Sequence, residues 1–148
     1  MPYAARILVP TDFSPLSTLA LEHAIALASL CGASIHLMHV QPDGSGRVDG
    51  DEPRLAGLVS RCHAEGIVVT SQVCAGQPAA AIVKAAADRA VDLIVLGTHG
   101  RHGVAHLVLG SVAEQVVRTA PCPVLTVRGL VPARVQQPAE AAWGLLPV

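Results

Sequence analysis

The chain has almost no aromatic residues: one Phe, one Tyr and one Trp in 148. Yet 51% of it is hydrophobic, mostly Ala, Val and Leu. That profile suits a sheet covered on both faces, whose strands read as continuous apolar runs. Charge of one sign is also missing. The formal net charge is −1, which argues against a basic face for nucleic acid. No apolar run approaches the roughly 20 residues that span a bilayer, and the first residues lack the basic-then-apolar order of a secretory signal. A soluble, cytoplasmic protein without a membrane partner is the expectation. Cys31, Cys62, Cys74 and Cys122 form no C-x-x-C pair, so they read as free thiols acting as small buried hydrophobes. The P-loop pattern G-x4-G-K-[ST] is absent, and so is the dinucleotide fingerprint G-x-G-x-x-G. No Ser–His–Asp order or carboxylate pair stands out, and nothing reads as a dedicated base for attack on a γ-phosphate. No catalytic residue is assigned.

What the chain does carry is a regular alternation of apolar runs and helical periods. Ala5 to Pro10 reads as a first strand. Ser14-Pro15 then signals a helix start, with serine as cap and proline in the first turn. Leu16, Leu19, Ala20, Ala24, Leu27 and Ala28 recur at helical spacing up to a stop at Gly32. Ser34 to Val40 is the second strand, and Pro42 to Asp51 a polar, glycine-containing loop. A weaker helix from Glu52 to Glu65 precedes the third strand, Ile67 to Cys74. Gly76-Gln77-Pro78 opens an alanine-rich helix to about Ala90. Val91 to Leu96, a helix over Val112 to Arg118, and Pro123 to Val127 complete the series. Strand and helix alternate four times before a last strand. This predicts an α/β fold: a doubly wound, five-stranded parallel sheet of order 3-2-1-4-5 with helices on both faces. Residues 1–128 form one domain, and the proline-punctuated residues 129–148 read as a mobile tail.

One stretch carries chemistry. Gly97-Thr98-His99-Gly100 follows the fourth strand, and nine residues later Gly110-Ser111 opens a helix. Glycine at a buried strand end permits a sharp turn and close approach to a ligand, and the free amides of a helix start bind anions. With Arg101 in the loop, the pattern reads as a phosphate cradle, and so as a nucleotide site. In the order 3-2-1-4-5, ligands lie beyond the carboxyl ends of strands 1 and 4, where the winding reverses. Pro10-Thr11-Asp12 leaves strand 1 at that place.

At these residues the chain resembles the universal stress proteins. Gly97, Gly100, Gly110 and Ser111 match the G-x2-G-x9-G-[ST] of the family's nucleotide-binding branch without a gap. Ile7 to Ser14 (I-L-V-P-T-D-F-S) resembles its first strand and turn, and Gly110 to Arg128 its last helix and strand. The likeness runs from about Ala5 to Arg128. It implies an ATP-binding regulatory protein that holds ATP with Mg2+ and hydrolyses it little or not at all. Pro10 and Thr11 would line the base and sugar pocket. Asp12 would face the sugar or a phosphate-bound magnesium through water. Val40, ending strand 2, would offer its backbone to the adenine edge. Gly97, Thr98, His99, Gly100, Arg101 and Gly103 would wrap the phosphates, and Ser111, Val112 and Ala113 would supply helix amides. The resemblance also implies a homodimer joined through the fifth strand, whose apolar edge invites pairing.

Each of these residues has a plainer reading. Asp12 fits a turn that caps the first helix. Ser111 and Glu114 form S-x-x-E, a capping box that needs no ligand. Arg101 fits a solvated loop. His99, His102 and His106 lack the cysteine or carboxylate that would complete a zinc set, and no metal ligand is assigned to the protein. Two other functions compete with the regulatory one: a slow ATPase or nucleotidyl transferase using Asp12 or His99, and an interaction module with a vestigial pocket and an unknown protein partner.

Overall fold

A computed structural model describes residues 4–42, 50–98 and 109–129. Its elements run β1 (Arg6–Pro10), α1 (Pro15–Cys31), β2 (Ser34–Gln41), α2 (Asp51–Ala64), β3 (Val69–Ala75), α3 (Pro78–Asp88), β4 (Leu93–Gly97), α4 (Ser111–Thr119) and β5 (Val124–Val127). All strand pairs are parallel and the order is β3-β2-β1-β4-β5, as the alternation predicts.

Side chains on a strand alternate between faces, and both faces here are apolar. Ile7, Val9, Ile35, Leu37 and Val95 pack with Ala20, Leu21, Ala24 and Ile25 of α1 and with Leu55 and Cys62 of α2. Leu8, Met38, Ile94 and Leu96 pack on the other face with Ala79, Ile82 and Ala86 of α3 and with Ala113 and Val116 of α4. The frequent alanines let the helices lie close to the sheet with few aromatic side chains in between. Across the first layer the Arg61 guanidinium forks onto Glu22 at 2.9 and 2.8 Å, tying α2 to α1.

The first helix is bounded as its sequence demands. Ser14 Oγ accepts from Ser17 N at 3.2 Å, Pro15 occupies the first turn, and Gly32 closes the helix at φ 70°. Two strands are shorter at their starts than their apolar runs. Ile67 N donates to Cys62 O beyond the left-handed Gly66, so Ile67 belongs to the stop of α2. Val91 N likewise donates to Ala86 O, and Ala90 turns left-handed at φ 49°, so α3 ends at Asp88 and β4 begins only at Leu93. The intervening Asp92 carboxylate accepts from the Ala5 and Arg6 amides at 2.8 and 2.9 Å, which fixes the entry of β1 beside β4. The expected tail beyond Gly129 lies outside the described residues.

Candidate functional site

β1 and β4 are neighbours, and the chain leaves both at the same end of the sheet. The turn after β1 is tightly bound. Thr11 is buried: its amide donates to Met38 O at 2.8 Å, and its hydroxyl contacts Ser17 Oγ at 3.1 Å and accepts from Phe13 N at 3.0 Å. Asp12, half-buried, accepts from Ser14 N at 3.0 Å through Oδ1, so the turn-capping reading of this residue holds in the structure. Phe13 sits at φ 63°, an uncommon conformation for a bulky residue. Its ring packs on the α1–α2 side, 4.5 Å from the His39 ring and 5.5 Å from the Arg54 guanidinium carbon.

Gly97 ends β4 against the start of α1. A β-carbon there would come within 2.9 Å of Leu16 Cγ, so the first glycine of the motif is required by packing before any ligand is considered. Thr98 follows with only 3% exposure. Its amide donates to Val127 O of β5 at 2.9 Å, and its carbonyl accepts from Gly110 N at 2.6 Å. The second bond ties the two ends of the glycine motif together and brings the start of α4 to the end of β4. Among the described residues, Thr98 Oγ1 is the buried side-chain polar atom that has no hydrogen-bond partner.

The structure overturns the capping-box reading of Ser111. Gly110 is the cap residue, and among the described residues no side chain caps the helix. Gly110 takes that place because its carbonyl already accepts the first helical bond, from Glu114 N at 2.9 Å. Ser111 is therefore helical and exposed, Val112 half-buried and Ala113 buried. Glu114 pairs instead with Arg118 at 2.9 Å, one turn on. The first amides of α4 thus have no capping side chain, and a helix start offers such amides to an anion. His99, Gly100, Arg101 and Gly103, with His102 and His106, lie outside the described residues.

Val40 does not end its strand, which continues to Gln41. Alternate strand residues direct their backbone groups to the same neighbour. Met38 O takes Thr11 N, so Val40 faces the β1 side just past the end of β1. Pro10, half-buried, pairs in register with Met38.

A polar cluster that no sequence motif marks lies beneath this turn. His39 Nδ1 meets Thr11 O at 2.8 Å and its Nε2 meets Asp51 Oδ2 at 3.1 Å, while Gln41 Nε2 donates to the same carboxylate oxygen at 3.1 Å. All three side chains belong to buried residues. The Gln41 bond, then the His39 charge and the Arg54 charge, hold the Asp51 carboxyl below its usual range against the opposing effect of burial. One signal was present: His39 and Gln41 continue the inward alternation of Ile35 and Leu37, and polar residues on a buried face require partners. Among the described residues no group of three His, Cys, Asp or Glu could hold a metal ion, and no helix is long and apolar enough to cross a membrane.

Comparison with known proteins adds to this geometry. The model of the universal stress protein family matches residues 4–128. Universal stress protein MJ0531 of Methanocaldococcus jannaschii is 33% identical over 139 residues, covering 83% of this chain and 81% of its own. Among solved structures, MJ0577 of the same organism superposes with a TM-score of 0.81 at 28% identity, over 88% of this chain and 99% of its own. A universal stress protein from Archaeoglobus fulgidus, solved in complex with dAMP, has a TM-score of 0.67 at 26% identity, over 86% of this chain and all of its own.

Proposed function

The chain belongs to the universal stress protein family, and from that membership we propose that it is a cytoplasmic regulatory protein holding ATP with Mg2+ at the carboxyl ends of β1 and β4. One observation carries the proposal: the Gly110–Thr98 bond draws the start of α4 to the end of β4, and among the described residues that helix start has no capping side chain and the buried Thr98 hydroxyl beside it no partner. A helix start without a capping side chain and an unsatisfied hydroxyl both suit phosphate oxygens. The dAMP complex of the Archaeoglobus relative supports an adenine nucleotide.

In this reading the amides of Ser111, Val112 and Ala113 and the loop from Gly97 through Thr98, His99, Gly100, Arg101 and Gly103 hold the phosphates. The Val40 backbone, on the side β1 has vacated, faces the adenine edge, with Pro10 and Thr11 forming the near wall. Thr11 contributes shape, since its hydroxyl is engaged with Ser17 and Phe13. Asp12 faces the sugar or the metal through water. Magnesium, when bound, neutralises phosphate charge. These contacts bind the ground state, and without groups that favour the transition state they yield little hydrolysis. The apolar edge of β5 joins two copies into a homodimer.

The test is to denature freshly purified protein and identify any released nucleotide by chromatography, followed by titration with Mg-ATP. About one adenine nucleotide per chain, or saturable binding without turnover, is the expected result. An empty protein that also fails to bind on titration overturns the proposal and favours an interaction module. Turnover abolished by Asp12→Ala, with binding intact, would make the protein an ATPase instead.

A further inference from the structure

We infer that His39 is the positioning residue of the acidic turn, holding Asp12 in place through the Thr11 carbonyl on one side and the Phe13 ring on the other. The inference rests on the nucleotide reading only for the consequence that it assigns to Asp12.

Thr11 O can only accept, so His39 Nδ1 must donate the 2.8 Å bond between them. The opposite ring nitrogen is held by Asp51 at 3.1 Å, and Asp51 is held by Gln41. The imidazole therefore has both edges engaged and little freedom to rotate. Its face meets the Phe13 ring with centroids 4.5 Å apart and planes tilted by 41°. Phe13 has φ 63°, a conformation that a bulky residue keeps only when its surroundings hold it. The two contacts fall on the residues either side of Asp12. Rotation of the Asp12 backbone would break one or both of them. Among the described residues, the charged groups around the ring include Asp51 and Arg54 of α2, with Arg54 lying over Phe13. The cluster thus ties the first turn of α2 to the turn that leaves β1, two segments with all of α1 and β2 between them in sequence.

Two substitutions separate this role from simple packing. In His39→Asn the introduced amide nitrogen stands where Nδ1 does, so this variant keeps the Thr11 bond and loses Asp51. His39→Gln places its amide near Nε2, which keeps Asp51 and loses Thr11. Amide hydrogen exchange is followed in the nucleotide-free full chain, with the core amide of Ala86 in α3 as control, and Mg-ATP affinity is measured alongside. In His39→Gln the Phe13 and Ser14 amides are expected to exchange about tenfold faster and Kd to rise about tenfold, the scale of one lost hydrogen bond. His39→Asn loses the Phe13 ring contact, as His39→Gln also does, but keeps the Thr11 bond, so a smaller change of about threefold is expected in both readings. Equal changes in both variants, or equal acceleration at Ala86, would mean that His39 serves stability alone and overturn the inference. No change at Phe13 and Ser14 in His39→Gln overturns it as well. If the parent chain binds no Mg-ATP, the nucleotide reading fails by itself and the exchange rates alone decide the role of His39.

Discussion

At Gly97 the fold leaves no room for a side chain, because Leu16 approaches within 2.9 Å of the position a β-carbon would take. Gly97→Ala should therefore lower stability by about 1–3 kcal/mol, the usual cost of overpacking a core. Urea unfolding measures it, and pairing the change with Leu16→Ala should recover part of the loss. Thr98 poses the opposite case. A buried hydroxyl without a partner costs about 1–3 kcal/mol relative to a satisfied one. Thr98→Val, close to isosteric, should leave the nucleotide-free protein as stable as the parent or about 1 kcal/mol more stable, while weakening Mg-ATP binding. Calorimetric titration and thermal unfolding of the same samples check both halves. A stability loss with affinity unchanged would mean that the hydroxyl serves the fold.

α2 is attached at its first turn by Asp51, buried between Gln41 and His39. The carboxyl titrates below its ordinary value of 3.8, chiefly through the Gln41 bond. A lowered folded-state pKa gives stability that is present above the unfolded value and lost as pH falls through the folded one. The stability gap between the parent and Asp51→Asn should therefore be present in full above the carboxyl range, at about 2 kcal/mol for hydrogen bonds to a charged group. It should close progressively below about pH 3.8. Urea midpoints of both proteins from pH 7 to pH 3 give the comparison. A gap that widens below about pH 3.8 would contradict the assignment. At the other side of the sheet, β5 is an edge strand and Leu125 on it is 39% exposed. Leu125→Lys should convert a dimer to monomers in sedimentation, and an unchanged dimer would locate the interface elsewhere.

For the whole molecule, a ligand that binds only the folded chain adds RT ln(1 + [L]/Kd) to its stability. This amounts to about 2.7 kcal/mol at a concentration 100 times Kd. Mg-ATP should raise the thermal midpoint accordingly, and Gly97→Ala or Thr98→Val should shift the dose at which the rise appears. A midpoint that ignores Mg-ATP across that range would leave the α4 start without its assigned anion. The two layers are unequal in what they contribute to the site. α3 and α4 cover the face that carries Val40 and the helix amides, whereas α1 and α2 cover the face from which Leu16, Phe13 and His39 brace the turns.

The order of elements, the parallel sheet and the place of the glycine motif were legible in the chain, because apolar period and turn chemistry are local. Ser14-Pro15 and Gly32 bounded α1 on that basis alone. The helix start at Gly110 was misplaced by one residue. S-x-x-E describes a cap equally well wherever it falls, and only the bonds made, Glu114 N to Gly110 O with Gly110 N tied to Thr98 O just beyond β4, decided the register. The starts of β3 and β4 moved inward for a related reason: Ile67 and Val91 are apolar enough for a strand, but their amides are taken by the preceding helices. His39, Gln41 and Asp51 had no motif to mark them. Their meaning lies in a shared carboxylate and in the Thr11 carbonyl, and sequence spacing does not encode contacts made across a sheet layer. The sequence determined by itself the fold and the place of the glycine motif at the end of β4, through patterns within single elements. Tertiary structure alone decided which groups there are braced, buried or left without a partner, because those depend on distances between elements.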